Sequence, residues 1–313
     1  MLSRTADHLF WMSRYLERAE SLSRMLDAHH RLSLLPRSPE AVLQGWSATL
    51  VSLGMDEAFL KHHGAITPRA AFDFLAFDRN HSGSIVSCLH AARENGRAVR
   101  GTITSDMWET LNTTYLKSRT FHTSLPDGAR GEFLEWVKYR AHMSRGVTSG
   151  TMLRDEAMCF LRIGTFLERA DNTTRLLEAR WRDPGGKGER LVAEASEWTV
   201  LLRAMSAYET YRRVCRSSVT PQRVTELLLM RDDFPQAVHR CLADLHANLA
   251  TVANGRSGET ERRLGELYAQ FHFGRFEDLC ADGVASFLDR FQARLRELGA
   301  RIANDFLVPL GID

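Results

Sequence analysis

The chain has 313 residues, 44% apolar and 26% charged, enough for one large or two ordinary domains with real cores and too apolar for extensive disorder. Its 41 basic and 39 acidic residues nearly cancel, which argues against nucleic acid or an anionic membrane as a partner. No signal-peptide core stands at the N-terminus, and no run approaches the roughly 18 apolar residues of a membrane span.

Apolar residues recur at spacings of three and four, as in Leu9, Met12, Leu16, Ala19, Leu22 and Leu26, and alternating β-branched runs are absent. The pattern predicts an all-α fold. Taken along the chain, it places helices over 4–33, 40–62, 69–77, 82–100, 105–118 and 129–145. In the remainder it places them over 150–181, 188–214, 221–230, 235–253, 258–272 and 281–304. Pro36, Pro39, Pro68, Pro126, Pro184, Pro221 and Pro235 fall where the pattern stops, and Pro184 to Gly188 is the clearest turn. Ser149-Gly150-Thr151 has the composition of a helix N-cap, with Arg154 and Glu156 in the following turns.

The chain repeats itself. YLERAESLSRMLDA (15–28) aligns with FLERADNTTRLLEA (166–179) at an offset of 151, with half of the positions identical. The register continues through Trp46 and Trp198. It reaches FLAFDRNHSGSIVSCLHAAREN (74–95) over LLLMRDDFPQAVHRCLADLHAN (227–248), where Cys88 matches Cys241 and Asn95 matches Asn248. Three matches in one order predict an internal duplication, with helical units at 1–148 and 149–313 packed as two pseudo-symmetric bundle halves.

On a helical wheel, Glu17, Glu20, Ser21, Arg14 and Arg24 lie opposite a wide apolar arc, with Arg18 on the flank. Glu168, Asp171, Asn172 and Arg175 occupy the same phases in the second copy, again with Arg169 on the flank. The plain reading is a solvated face of ion pairs contributing a few tenths of a kcal/mol each. The sharper reading is that the two faces meet between the halves and bury the network, or hold a ligand through planar guanidinium forks. A second group, Arg93, Glu94, Asn95, Arg97 and Arg100, sets arginines at i, i+4 and i+7 as a basic stripe. The matching segment of the second half lacks them. Trp108 reads as a core anchor, and Arg154 as a residue near a helix start.

Standard metal and nucleotide motifs are missing: there is no CxxC, HExxH, ExxH, GxxxxGK[ST] or GxGxxG. No metal site and no cofactor are therefore expected. The pairs His29-His30 and His62-His63 read as solvated helix-end histidines. Five scattered cysteines without paired spacing indicate reduced thiols in the cytoplasm, and none has the His/Asp setting of a nucleophile.

Three segments carry a resemblance to a known family: ADHLFWMSRYLERAE (6–20), SCLHAARENGRAVRGTITSDMWETLN (87–112) and GTMLRDEAMCFLRIGTFLERADNTTRLL (150–177). They resemble the bacterial alpha-E family, across essentially the whole chain. Residues 184–313 keep the pattern with few signature words. Residues 78–84 read DRNHSGS where the family usually has a Pro-rich turn. The resemblance implies an all-helical module that keeps company with a circularly permuted ATP-grasp protein and a transglutaminase-like protein. The expected role is an accessory or binding subunit of an ATP-grasp amide ligase. The alternatives are an enzyme using Glu17 or Glu168 as general acid/base, with Arg14, Arg18 and Arg169 holding an anionic substrate, and a scaffold.

Overall fold

The computed structural model describes residues 1–32, 37–122, 126–182 and 191–307, and among them it contains helices and no strands. The first seven helices are α1 (Ser3–Leu32), α2 (Pro39–Leu53), α3 (Asp56–His63), α4 (Pro68–Phe77), α5 (Ile85–Ala98), α6 (Ser105–Ser118) and α7 (Asp127–Thr151). The next five are α8 (Glu156–Arg182), α9 (Leu191–Ala204), α10 (Tyr208–Cys215), α11 (Pro221–Met230) and α12 (Val238–Thr251). The chain then forms α13 (Gly258–Phe273), the single turn α14 (Phe276–Leu279) and α15 (Val284–Phe306). The expected all-α class holds. Pro36 and the turn from Pro184 to Gly188 lie outside the described residues. Among those residues, no helix is long and apolar enough to cross a membrane.

Two expected helices are each divided. The span 40–62 breaks after α2 because Gly54 turns the chain left-handed at φ 65°, its N–H closing onto the carbonyls of Leu50 and Val51. The span 188–214 breaks at Ser206, also left-handed at φ 53°. The same turn thus recurs 152 positions later with a serine in the glycine's place, a conformation an L-residue adopts at a cost. The Ser149-Gly150-Thr151 segment does not start a helix either. It forms the end of α7, and Asp155 caps α8 by accepting from the Met158 N–H at 3.2 Å.

Other local structures recur at the same spacing. α4 and α11 each run ten residues, begin with proline, and are capped by Thr67 and Thr220, which accept from the N–H three residues on. α5 and α12 each run fourteen residues and close at Val99 and Val252.

α1 and α8 form the centre. α1 is thirty residues, or ~45 Å, long. It packs against α8, α5, α7 and α9, while α8 also meets α12, α2 and α15. The wheel expectation of one apolar and one solvated face on α1 fails for this reason: Leu9, Phe10 and Met12 enter one core, and Ala19, Leu22 and Leu26 enter another. A helix packed on several sides has to bury part of its polar arc. Its crossing with α8 is close because Gly164 faces Phe10 and Ser13. A methyl group there would overlap the Phe10 carbonyl oxygen and the Ser13 hydroxyl.

Candidate functional site

The close crossing brings two Glu-Arg dipeptides face to face. Arg18 donates through Nε to Glu168 Oε1 at 2.6 Å and through Nη2 to Oε2 at 3.1 Å. Arg169 donates through Nε to Glu17 Oε1 at 2.7 Å and through Nη2 to Oε2 at 3.0 Å. Each helix therefore supplies one carboxylate and one planar fork to the other, in near-identical geometry. Arg24 reaches across to the Ala204 carbonyl at 2.8 Å, and Arg175 reaches back to the Ser52 carbonyl at 2.5 Å. Both arginines also pair along their own helix, Arg24 with Glu20 at 2.7 Å and Arg175 with Asp171 at 2.8 Å. The solvated-face reading is overturned for Glu17, Glu20, Arg24, Glu168 and Arg169, all of which are buried.

The two sides of the crossing differ in what completes them. Glu168 receives a second cation, Arg14, at 2.7 Å. Burial alone would raise the Glu168 carboxyl, but Arg14 and Arg18 overcome it and hold the group at about 2. Glu17 instead meets Arg145 of α7 at 3.3 Å, and the same guanidinium pairs with Glu20. Glu20 is also drawn below the usual range, against the effect of burial, by Arg145 and Arg24. Six guanidiniums (Arg14, Arg18, Arg24, Arg145, Arg169, Arg175) thus face four carboxylates (Glu17, Glu20, Glu168, Asp171). The centre carries an excess of two positive charges.

An open cleft of about 160 Å³ lies on the Glu17 side, between α1, α6, α7 and α8. Glu17, Arg145, Arg162 and Arg169 line it together with Leu16, Met107, Met158 and Phe166. Arg162 is exposed and forms no ion pair among the described residues. Arg145, Arg162 and Ser144 were invisible to the repeat because none of them lies in a repeated word. Stepping α7 onto α15 through the pairs Lys138–Asp27 and Gln292–Glu178 puts Gly299 opposite Arg145. At the α8 position matching Arg14 stands the short Thr165, which leaves the cleft open.

The basic stripe does not join this centre as one face. Arg93 pairs with Glu94 and donates to Asn112 at 3.2 Å, and Arg97 pairs with Glu94 at 2.8 Å. Arg100 falls in the turn beyond α5, not on its face, and lies over the Trp108 ring with its centroid at 4.8 Å. Trp108 is half-buried and also meets Arg93, so it is a platform for guanidiniums as well as a core side chain. Asn95 binds His8 at 2.8 Å and the Ala91 carbonyl, tying α5 to α1. Arg154 stands exposed in the loop before α8. His29, expected to be solvated, stacks on Trp46 at 4.1 Å and bonds Thr49 at 2.7 Å. Burial, aided by Arg37 and Arg180, pushes its pKa down to about 3.

None of the described residues forms a cluster able to hold a metal ion. All five cysteines are free thiols. Burial pushes Cys88 and Cys241 up to about 12, which leaves them inert at neutral pH.

A family described as a predicted alpha-helical domain with a conserved ER motif matches residues 1–307. The chain belongs to the Alpha-E family. Glu17-Arg18 and Glu168-Arg169, the two dipeptides that cross-pair, are ER motifs in the literal sense. An uncharacterized protein of Mycobacterium bovis and two of Mycobacterium tuberculosis are each 26% identical to this Alpha-E chain over 94% of its length. The chain spans only 36% of the length of these relatives. No solved structure matches it significantly.

Proposed function

We propose that this Alpha-E chain is a binding subunit that acts with an ATP-grasp amide ligase, in a cytoplasmic pathway that forms or trims peptide-type bonds. The observation that carries this reading is the state of Glu168. A general acid or base has to exchange a proton near neutral pH. Glu168, held at about 2 between Arg14 and Arg18, stays a carboxylate whose lone pairs are already engaged. Nucleophilic chemistry has no better support, since the buried thiols Cys88 and Cys241 are pushed far from thiolate. The surplus of guanidiniums suits holding an anionic group rather than transforming it.

The internal duplication belongs to the same proposal. The reciprocal forks, matching caps and recurring left-handed turn support two related units whose contact creates the charged centre. A transglutaminase-like protein is the second expected partner. The test is a ligase assay of an ATP-grasp partner with and without this chain, together with co-purification of the two. A stable complex with increased amide formation supports the reading; an unchanged rate and no complex reject it. An independent enzyme built on the glutamates requires Glu17→Gln and Glu168→Gln variants that fold normally yet lose all pathway activity.

A further inference from the structure

The cleft on the Glu17 side has the components of a small-ligand site, and their balance specifies the ligand. Its wall holds Glu17, Arg145 and Arg169, and behind them Glu20 pairs with Arg145 and Arg24, so two carboxylates meet three guanidiniums, a surplus of one positive charge. Arg162 adds a second at the mouth, without an ion pair among the described residues. Arg145 gives Nη1 and Nη2 to Glu17, Glu20 and His142, and keeps one third of its side chain exposed. Its Nε–H is engaged by none of these bonds.

The Ser144 side chain is the independent observation. It lines the cleft and is 4% exposed, and no hydrogen bond engages its hydroxyl among the described residues. A ligand oxygen in the cleft supplies a partner. The rest of the lining is apolar, from Leu16, Met107, Met158 and Phe166. The space of about 160 Å³ is that of about five water molecules.

We infer that this cleft binds a carboxylate carried on a short apolar stem. The carboxylate accepts from Arg162, Arg145 and Ser144, and the stem packs against the apolar wall. A monoanion fits better than a dianion, because an apolar lining does not hydrate a second negative oxygen. The site exists on one side of the α1–α8 crossing only, because the matching positions on the other side carry Arg14 and Gly299. The inference does not depend on the ligase reading, since it concerns binding by this chain alone.

Isothermal titration of the chain with N-acetyl-leucine, N-acetyl-leucinamide and benzyl phosphate tests it. Saturable one-site binding of the acid, with the amide and the phosphate at least tenfold weaker, is the expected result. Arg162→Ala and Ser144→Ala are each expected to weaken the acid at least fivefold while leaving the melting temperature near that of the parent. Arg97→Ala, on an exposed arginine elsewhere, leaves it unchanged. Tighter binding of an acetylated tetrapeptide ending in leucine identifies a peptide C-terminus as the source, and equal or weaker binding identifies a small free acid. Equal binding of acid and amide, no binding of either, tighter binding of the phosphate, or full affinity in Arg162→Ala overturns the inference.

Discussion

The two sides of the α1–α8 crossing start from the same Glu-Arg dipeptide and finish differently. On one side Glu168 is 1% exposed and enclosed by two arginines of α1, Arg14 and Arg18. On the other, Glu17 is held by Arg169 and shares Arg145 with Glu20, beside an open cleft. One pairing device therefore serves as a closed clasp in one place and as the wall of a recognition site in the other. The difference comes from three positions outside the dipeptides: Arg14 against Thr165, and Arg145 against Gly299 with Ser144 beside it.

The largest effect expected is from breaking one fork. Glu17→Ala leaves Arg169, 6% exposed, with little beyond the Pro235 carbonyl at 3.2 Å, and is expected to cost about 3–5 kcal/mol in urea unfolding. Glu168→Ala is expected to cost less, because Arg14 and Arg18 keep 17% and 27% of their side chains exposed and can rehydrate. Equal costs would erase the distinction between the sides. Replacing both members, as in Glu17→Met with Arg169→Leu, is expected to recover most of the loss, since no buried charge is then left alone.

Next in size is the crossing itself. Gly164→Ala drives a methyl into the Phe10 carbonyl and is expected to cost about 1–3 kcal/mol, with Ser13→Ala well below it. An unchanged unfolding midpoint would mean that the close approach is not what brings the forks together.

Acid acts on the closed side through Glu168. Its folded pKa, about 2, lies below the ordinary 4.5, so its contribution is fully present above about pH 4.5 and is lost as pH falls toward 2. At ~1.4 kcal/mol per pH unit the limit is on the order of 3 kcal/mol. Glu168→Gln is therefore expected to flatten the stability profile between pH 4.5 and 3; an identical slope in both proteins contradicts the assignment. The smallest effect is expected outside the centre, where Arg97→Ala removes a mostly exposed pair with Glu94 and should change stability by less than about 0.5 kcal/mol.

Much of the fold and most of the charged centre were legible in the sequence. Apolar periodicity located the long helices, and Pro68 and Pro221, where the pattern breaks, fall at the starts of α4 and α11. The repeated LERA words picked out Glu17, Arg18, Glu168 and Arg169 before any packing was known. What periodicity could not show was the division of 40–62 and 188–214, because a single residue's left-handed φ leaves the apolar spacing on either side intact. Nor could a wheel show that the polar arc of α1 is enclosed, because enclosure depends on neighbours distant in the chain. Arg145, Arg162 and Ser144 belong to no repeated word, and only packing brings α7 and the outer face of α8 to the forks. His29 was misread for the same reason: its place at the end of α1 suggests solvent, and Trp46 of α2 covers it.

The central claim is that Glu168 holds α1 and α8 together as a permanent carboxylate, across the crossing from a site that binds an anion. Carbon-13 titration of the glutamate carboxyl groups, with the Glu168 signal assigned by its loss in Glu168→Gln, tests this most directly. The signal is expected to stay constant from pH 8 down to the onset of acid unfolding, with any midpoint near 2. A midpoint at or above 4.5 in the folded protein would contradict the claim and return Glu168 to the set of candidate proton-transfer groups.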